Sequence, residues 1–363
     1  MLFFINDSVA KLVEEQDEVS IKVLSELLEA WKRNKCLIDA SRSTFNTLCT
    51  NESLKGFIGS FKRKQGLSEI YSYISFFVQL AAKDDDDSLF IQKAQGRILK
   101  IESYQDLFFF STNYIVCENS HDYKFYCWGA NQFQKGNIKE TLSLNTSRLN
   151  GGGSQISYEC DLVNSDKKFA LVIYDSDVKY INAPIGNTAK SIERKISSLH
   201  SPYLWSHRLA SHEIENLIPI EILIGLKIKQ HKSFLVKMSE NKTHTMFDIF
   251  FIYFDFKKGI LPSTLRAYRE QLSASEFSKI KDLLVKLGVH ITRIEKVLRD
   301  KWNPKIKENV LLGGWGDKLL QQSVEFVDSN YVNSTLLSYQ TKEWNTLVRD
   351  IWSIGCSHRK TIY

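Results

Sequence analysis

This chain of 363 residues, with 43% hydrophobic content and a formal net charge of +6, has the composition of an ordinary globular protein and can bury a core for two or three domains. The mild basic excess is compatible with a polyanionic partner but does not require one. Six scattered cysteines without a CxxC pair indicate neither a zinc ribbon nor a disulfide framework, so we expect reduced thiols in a cytoplasmic protein.

The segment 1–105 is predicted to be a mainly helical region. Apolar residues recur at helical spacing between residues 19 and 33 and again between residues 65 and 83, and short strands are expected at 3–5 and 35–38. The amino terminus has no basic leader and only a short apolar run, so no signal peptide is expected.

The segment 106–222 alternates short apolar runs with amphipathic stretches. Strands are expected at 107–110, 114–117 and 169–174, and helices are expected at 121–128 and 188–198. This alternation is typical of a parallel sheet with crossover helices. It predicts an α/β domain with a central parallel sheet in the Rossmann-like manner.

The segment 223–363 is predicted to be a basic α+β region, with helices at 273–287 and 289–302. Its early lysines and aromatic residues fit a groove that follows a nucleic-acid backbone, and they fit equally a sheet with one packed face. The most apolar stretch, 246–256, is interrupted by two aspartates and is shorter than the ~20 residues that a membrane span needs. We therefore expect no membrane association.

Acidic residues follow two of the predicted strands and form a third cluster downstream. Glu118 comes directly after the strand at 114–117, and Asp175 and Asp177 come after the strand at 169–174. The third cluster contains Glu213 and Glu215. Because open α/β sheets place their chemistry at the carboxyl ends of strands, we expect these carboxylates to form an oxygen-rich site for Mg²⁺ or Mn²⁺.

The order of these motifs resembles the toprim domain, which topoisomerases, primases, ribonuclease-maturation enzymes and bacterial anti-phage nucleases of the OLD type share. In that family a glutamate ends the first strand, a glycine-containing turn follows the second strand, and a DxD pair ends the third. The matching residues here are Glu118, the glycines at 151–153, and Asp175 with Asp177. The segment 212–216 looks like the extra acidic motif of OLD-like proteins, whereas Asn119 stands where glycine is more common.

The resemblance and the chemistry of phosphodiesters together imply roles for these residues. Asp175 and Asp177 would hold one metal ion, and Glu118 would bind it or act as general acid or base. Glu215, with Glu213 as the second choice, would complete a two-metal arrangement, but pairing of both with lysines would leave a single-metal site. His212 is open between a general base, a metal ligand and a structural hydrogen-bond partner. Four basic residues are candidates for contacts with nucleic-acid phosphates: Lys124, Lys179, Lys190 and Arg194.

The leading prediction is a metal-dependent nuclease that hydrolyses phosphodiester bonds of DNA or RNA, with tRNA among the substrates considered. The resemblance to OLD-like and PARIS-type proteins implies an anti-phage defence effector. Because the chain lacks a phosphate-loop motif, a separate ABC-type ATPase subunit is the implied partner, and a homodimer is one open oligomeric state. Two alternatives stay open: a regulatory nucleic-acid-binding protein with a metal-filled or degenerate acidic site, and phosphatase or phosphotransfer chemistry.

Overall fold

The structure is a computed structural model that describes residues 1–57, 70–85, 94–103, 112–135, 142–150, 152, 155–226, 231–300 and 309–358. The described chain groups into two compact units. The first unit comprises Met1–Ile173, Ile192–His207 and Asn345–Tyr363, and the second comprises Tyr174–Ser191 and Arg208–Trp344. The division into 1–105, 106–222 and 223–363 stays a prediction.

Two four-stranded sheets organise the first unit. One sheet has the order β2-β1-β3-β4, and all of its pairs are parallel. Its strands are β1 (Leu2–Ile5), β2 (Leu37–Ala40), β3 (Phe76–Ala81) and β4 (Gln95–Lys100). The other sheet has the order β7-β5-β8-β9, with β5 (Tyr114–Cys117), β7 (Ser147–Asn150), β8 (Ala170–Tyr174) and β9 (Leu204–Arg208). The middle strand β5 is parallel to both β7 and β8.

Helices connect these strands, and a short antiparallel pair joins β6 (Leu142–Leu144) to β12 (Cys356–His358). The helices before β6 are α1 (Asp7–Glu14), α2 (Glu18–Lys32), α3 (Arg42–Thr50) and α4 (Ser120–Phe133). Those that follow are α5 (Ile156–Ser165), α6 (Asn187–Leu199) and, near the carboxyl end, α14 (Ser338–Gly355). The result confirms the expected α/β class with parallel sheets.

Helices dominate the second unit. They are α7 (Ile220–Gly225), α8 (Lys232–Glu240), α9 (Phe247–Phe251), α10 (Pro262–Gln271), α11 (Ala274–Lys286), α12 (Ile291–Arg299) and α13 (Leu319–Ser329). One antiparallel pair joins β10 (Gly259–Ile260) to β11 (Leu312–Gly313). The phenylalanines of residues 247–256 are all buried and contact one another edge to face or tilted, so they form a core. No described helix is both long and apolar enough to cross a membrane.

The mainly helical prediction for the first hundred residues is wrong in one respect. Residues 76–81, which were expected to continue a helix, form strand β3 in the middle of a parallel sheet. All six residues of β3 are buried, and a strand that is covered on both faces has no polar alternation to distinguish it from a buried helix. The strand expected at 107–110 lies outside the described residues.

The β5–α4 junction explains the asparagine that departs from the toprim pattern. The Asn119 side chain accepts hydrogen bonds from the backbone N–H groups of His121 at 2.8 Å and Asp122 at 3.2 Å. The Asp122 carboxylate accepts from the Asn119 backbone N–H at 3.1 Å, which completes a capping box at the start of α4. Capping of helix α4 therefore accounts for the presence of Asn119 and Asp122 after Glu118.

We predict that Asn119→Ala lowers the free energy of unfolding by about 1 kcal/mol, because it leaves amino-terminal N–H groups of α4 without their side-chain acceptor. Urea denaturation of the full chain measures the change. Asn119→Ser, which keeps a capping oxygen, is the control and should lose only a small part of that stability. Equal losses in both variants would contradict the capping account.

Candidate metal centre

The loop after β8 and the segment 211–214 are joined by hydrogen bonds within the second unit. The Asp177 backbone N–H donates to the His212 carbonyl at 3.0 Å, and the Ser176 hydroxyl donates to the Ser211 carbonyl at 2.5 Å. The Ile214 backbone N–H donates to Asp175 Oδ1 at 3.1 Å. These contacts bring together two of the three acidic clusters of the sequence.

Asp177 has a backbone conformation that sequence reasoning did not anticipate. Its φ is 55°, in the left-handed region, so the backbone does not continue through this residue as an extended strand. The backbone turns there, and the Gly186 N–H donates to the Ser176 carbonyl at 2.8 Å. The Asp177 side chain lies so close to Gly186 that a Cβ at position 186 would overlap it.

Asn216 joins the third acidic cluster to the segment that carries Asp255. Its Nδ2 donates to the carbonyls of Phe251 at 2.7 Å and Phe254 at 2.8 Å, and its Oδ1 accepts from the Glu213 backbone N–H at 2.9 Å. The Asn216 side chain is fully buried, so these bonds form away from water. They place Asp255 and Lys257 beside the glutamates.

His212, Glu213 and Asp255 form a group whose ligand atoms all lie within 4.8 Å of one another. His212 Nε2 is 3.7 Å from Glu213 Oε1 and 3.9 Å from Asp255 Oδ2. The imidazole is 2% exposed, and its Nδ1 has no hydrogen-bond partner among the described residues. One nitrogen and two carboxylates at this spacing can converge on a divalent cation after a small inward movement.

Lys257 is the cation that the two glutamates contact. Its Nζ lies 3.2 Å from Glu213 Oε2 and 3.3 Å from Glu215 Oε1. Burial alone would lower the pKa of the Lys257 ammonium, but the carboxylates of Glu215, Glu213 and Asp175 raise that pKa above its ordinary value. This pairing is the arrangement that sequence reasoning associated with a single-metal site.

Asp255 is held in its charged form. Burial by itself raises the pKa of its carboxyl, but the His212 imidazole and the backbone N–H of Lys258 outweigh that effect and lower the pKa below the ordinary 3.8. The Lys258 N–H donates to Asp255 Oδ1 at 2.7 Å. Asp255 is therefore an ionised carboxylate at neutral pH.

A cleft of about 460 Å³ opens over this centre, and all of its lining residues belong to the second unit. Its acidic side contains Asp177, Glu213 and Asp255, with His212 between them. Its basic residues are Lys179, Lys190 and Lys258. The first turn of α6 forms part of the same wall, through Gly186, Asn187 and Lys190. An anionic group in the cleft would therefore lie near lysine side chains and near the amino-terminal end of a helix.

The remaining predicted site residues lie in the first unit. Glu118 is exposed directly after β5, and its carbonyl accepts from the Gly152 backbone N–H at 2.9 Å, beside the end of β7. Gly151 and Gly153 lie outside the described residues. Lys124 on α4 and Arg194 on α6 are exposed. Their roles in catalysis and nucleic-acid binding stay predictions, as do those of Asp175, Asp177, Glu213 and Glu215.

Sequence reasoning missed Asp255, Lys257 and Lys258 as members of the site. Asp255 was considered only as an interruption of an apolar stretch. The available signal was its position, because an aspartate and two lysines at the end of a buried phenylalanine run place three charges at the edge of a core.

No protein-family model, curated protein or solved structure matches this chain.

We predict that Gly186→Ala displaces the Asp177 side chain and lowers the free energy of unfolding by about 1 to 3 kcal/mol, the usual cost of overpacking. Gly313→Ala is the matched control, since a Cβ there meets open space. Thermal and urea denaturation of both variants measure the difference. Equal stability of the two variants would contradict the close approach of Gly186 and Asp177.

We predict a pH-dependent effect for Asp255→Asn. Because the folded-state pKa of Asp255 is lowered, its carboxylate stabilises the fold above pH 3.8, and this contribution disappears as pH falls through the folded-state value. Urea denaturation of the two proteins should therefore give a stability difference that is full at pH 7 and shrinks below pH 3.8. A difference that grows on acidification would contradict this assignment.

Proposed function

We propose that this protein is a divalent-cation-dependent phosphodiesterase, a nuclease that acts on DNA or RNA in the cleft of the second unit. The observation that carries the proposal is the composition of that cleft. A compact acidic centre of Asp177, Glu213 and Asp255, with His212 among them, lies beside Lys179, Lys190 and Lys258. Phosphoryl transfer requires both groups, since a cation must be held and a polyanion must be drawn to it.

The donor set fits a divalent cation. The group offers one imidazole nitrogen, from His212, and two carboxylate oxygens, from Glu213 and Asp255. The buried Nδ1 of His212 has no hydrogen-bond partner among the described residues. Carboxylates suit Mg²⁺ and Mn²⁺ alike, whereas imidazole is a poorer ligand for Mg²⁺. We therefore favour Mn²⁺ over Mg²⁺. Such a cation would supply Lewis acidity at the phosphoryl group and a more acidic bound water.

The side chains have separable tasks in this proposal. Glu213 and Asp255 hold negative charge beside the His212 ring, and Asp177 faces the cleft from a turn fixed by backbone hydrogen bonds. Lys179, Lys190 and Lys258 attract and orient the phosphodiester backbone. Asp175 supports the loop through its bond to Ile214, and Glu215 is oriented by Lys257. Glu118 as general acid or base remains part of the proposal from its strand-end position.

The wider biological setting also belongs to the proposal. The order of acidic motifs resembles anti-phage toprim effectors, and such effectors are kept silent by a partner. We propose a cytoplasmic defence nuclease that works with a separate ABC-type ATPase subunit, with a homodimer as one form of assembly. These statements depend on the resemblance, and the cleft chemistry does not depend on them.

We predict that purified protein cleaves plasmid DNA, single-stranded DNA or tRNA with Mn²⁺ and that EDTA abolishes the cleavage. Asp177→Asn should lower the rate at least about 100-fold, because loss of a charged group that stabilises the transition state costs roughly 3 kcal/mol or more. Asp175→Ala should lower the rate as well, because it removes the acceptor that holds the Ile214 backbone N–H beside the centre. Glu118→Ala tests the strand-end glutamate in the same assay. Gel electrophoresis of the products measures the rates.

Asp282→Asn is the control for this assay, because Asp282 is exposed, is not among the residues that line the cleft, and pairs with Lys286 and His244. It should cleave as the parent does. Metal-dependent cleavage that survives both Asp177→Asn and Asp175→Ala would refute the proposed site.

One observation favours a second candidate function, a non-catalytic regulatory protein that binds nucleic acid. The Lys257 ammonium already neutralises part of the acidic centre, as in a site that has lost its need for metal. That candidate predicts nucleic-acid binding that is unchanged by EDTA and no cleavage with any cation. Filter binding beside the cleavage assay separates the two functions.

A further inference from the structure

Glu213 faces a different positive or polarisable group with each of its carboxylate oxygens. Its Oε1 lies 3.7 Å from His212 Nε2, and its Oε2 lies 3.2 Å from Lys257 Nζ. A carboxylate that bridges two adjacent cations divides its oxygens in the same way, with one oxygen directed to each cation. The subsite beside Glu213 Oε1 is the group of His212, Glu213 and Asp255. The subsite beside Glu213 Oε2 is occupied by the Lys257 ammonium.

The carboxylates that define the second subsite are those of Glu213 and Glu215, and one oxygen of each lies beside Lys257 Nζ. The Glu215 side chain is only 2% exposed, and that of Glu213 is 12% exposed. Uncompensated carboxylates at such depth are strongly unfavourable, so the folded protein gains stability from a cation placed beside them. The Lys257 ammonium meets that need from within the chain.

Lys257 differs in this respect from its neighbour Lys258. The Lys257 side chain is 24% exposed and contacts two glutamates, whereas the Lys258 side chain is 69% exposed and approaches a single carboxylate at 3.9 Å. An exposed pair of the Lys258 kind contributes little to stability. The two lysines therefore form a matched pair for experiment, adjacent in sequence and opposite in environment.

We propose that Lys257 is a built-in counter-ion that occupies the second cation subsite, so that the acidic centre takes up one divalent cation instead of two. This inference rests on the proposed metal centre and defines its stoichiometry. The ammonium and a second divalent cation compete for the same oxygens of Glu213 and Glu215. Removal of the ammonium frees those oxygens, and the centre then takes up a second divalent cation.

The test counts bound Mn²⁺ on the full-length protein by isothermal titration calorimetry and by electron paramagnetic resonance of the free ion. The variants are Lys257→Met, which removes the charge while keeping the length of the side chain, Lys257→Arg, which keeps the charge, and the control Lys258→Met. We expect one Mn²⁺ per chain for the parent, Lys257→Arg and Lys258→Met. We expect two for Lys257→Met.

The wild-type measurement alone can overturn the proposal, whatever the variants do. Two Mn²⁺ ions bound to the parent chain would overturn the counter-ion role and leave the proposed metal centre intact. No Mn²⁺ bound to the parent would overturn the metal centre and the counter-ion role together. One Mn²⁺ bound to both the parent and a folded Lys257→Met variant would show that Lys257 is an ordinary ion-pair partner.

Thermal unfolding gives a second readout, which does not depend on activity. Without metal, Lys257→Met should melt several degrees below the parent, because its buried carboxylates lack their counter-ion. Saturating Mn²⁺ should raise the Tm of Lys257→Met more than that of the parent, since two ions then stabilise the folded state instead of one. Equal Mn²⁺-induced Tm shifts in the two proteins would count against the proposal.

Discussion

The hydrogen bonds of Asn216 are the constraint on which the acidic centre depends. A fully buried amide must satisfy its donors and acceptor, and this one does so with two carbonyls of the phenylalanine segment and with the backbone N–H of Glu213. The backbone carbonyl of Asn216 accepts hydrogen bonds from the Tyr339 hydroxyl at 2.8 Å and from Gln340 Nε2 at 3.0 Å. The backbone of the glutamates is thereby fixed against a packed aromatic core, which supports every side chain above it.

A rigid support matters because the centre concentrates negative charge. Several carboxylates lie within one small region, and their mutual repulsion would open a loosely held loop. Hydrogen bonds between the loop after β8 and the segment 211–214 oppose that repulsion, and Lys257 offsets it directly. Burial, charge and hydrogen bonding thus act together.

Apolar runs and helical spacing predicted several elements. The strands β5 and β8 and the helices α4 and α11 all follow from such local patterns. The same reasoning failed at β3, where six consecutive buried residues give no alternation. It also left open whether the aromatic residues of the 223–363 region pack or line a groove, and the phenylalanines of 247–256 are core. Local pattern cannot report which residues a distant segment will cover.

The sequence by itself determined the α/β class, the strand-end position of Glu118 and Asp175, and the presence of acidic clusters suited to a cation, because these depend on residue type and short spacing. Only the tertiary structure decided that Asp177 stands in a left-handed turn against Gly186 and that Asp255 joins His212 and Glu213. It also placed Lys257 between the glutamates. The contact between Glu213 and Lys257, which is 44 positions away in the chain, depends on how a buried amide and an aromatic core bring separate segments together.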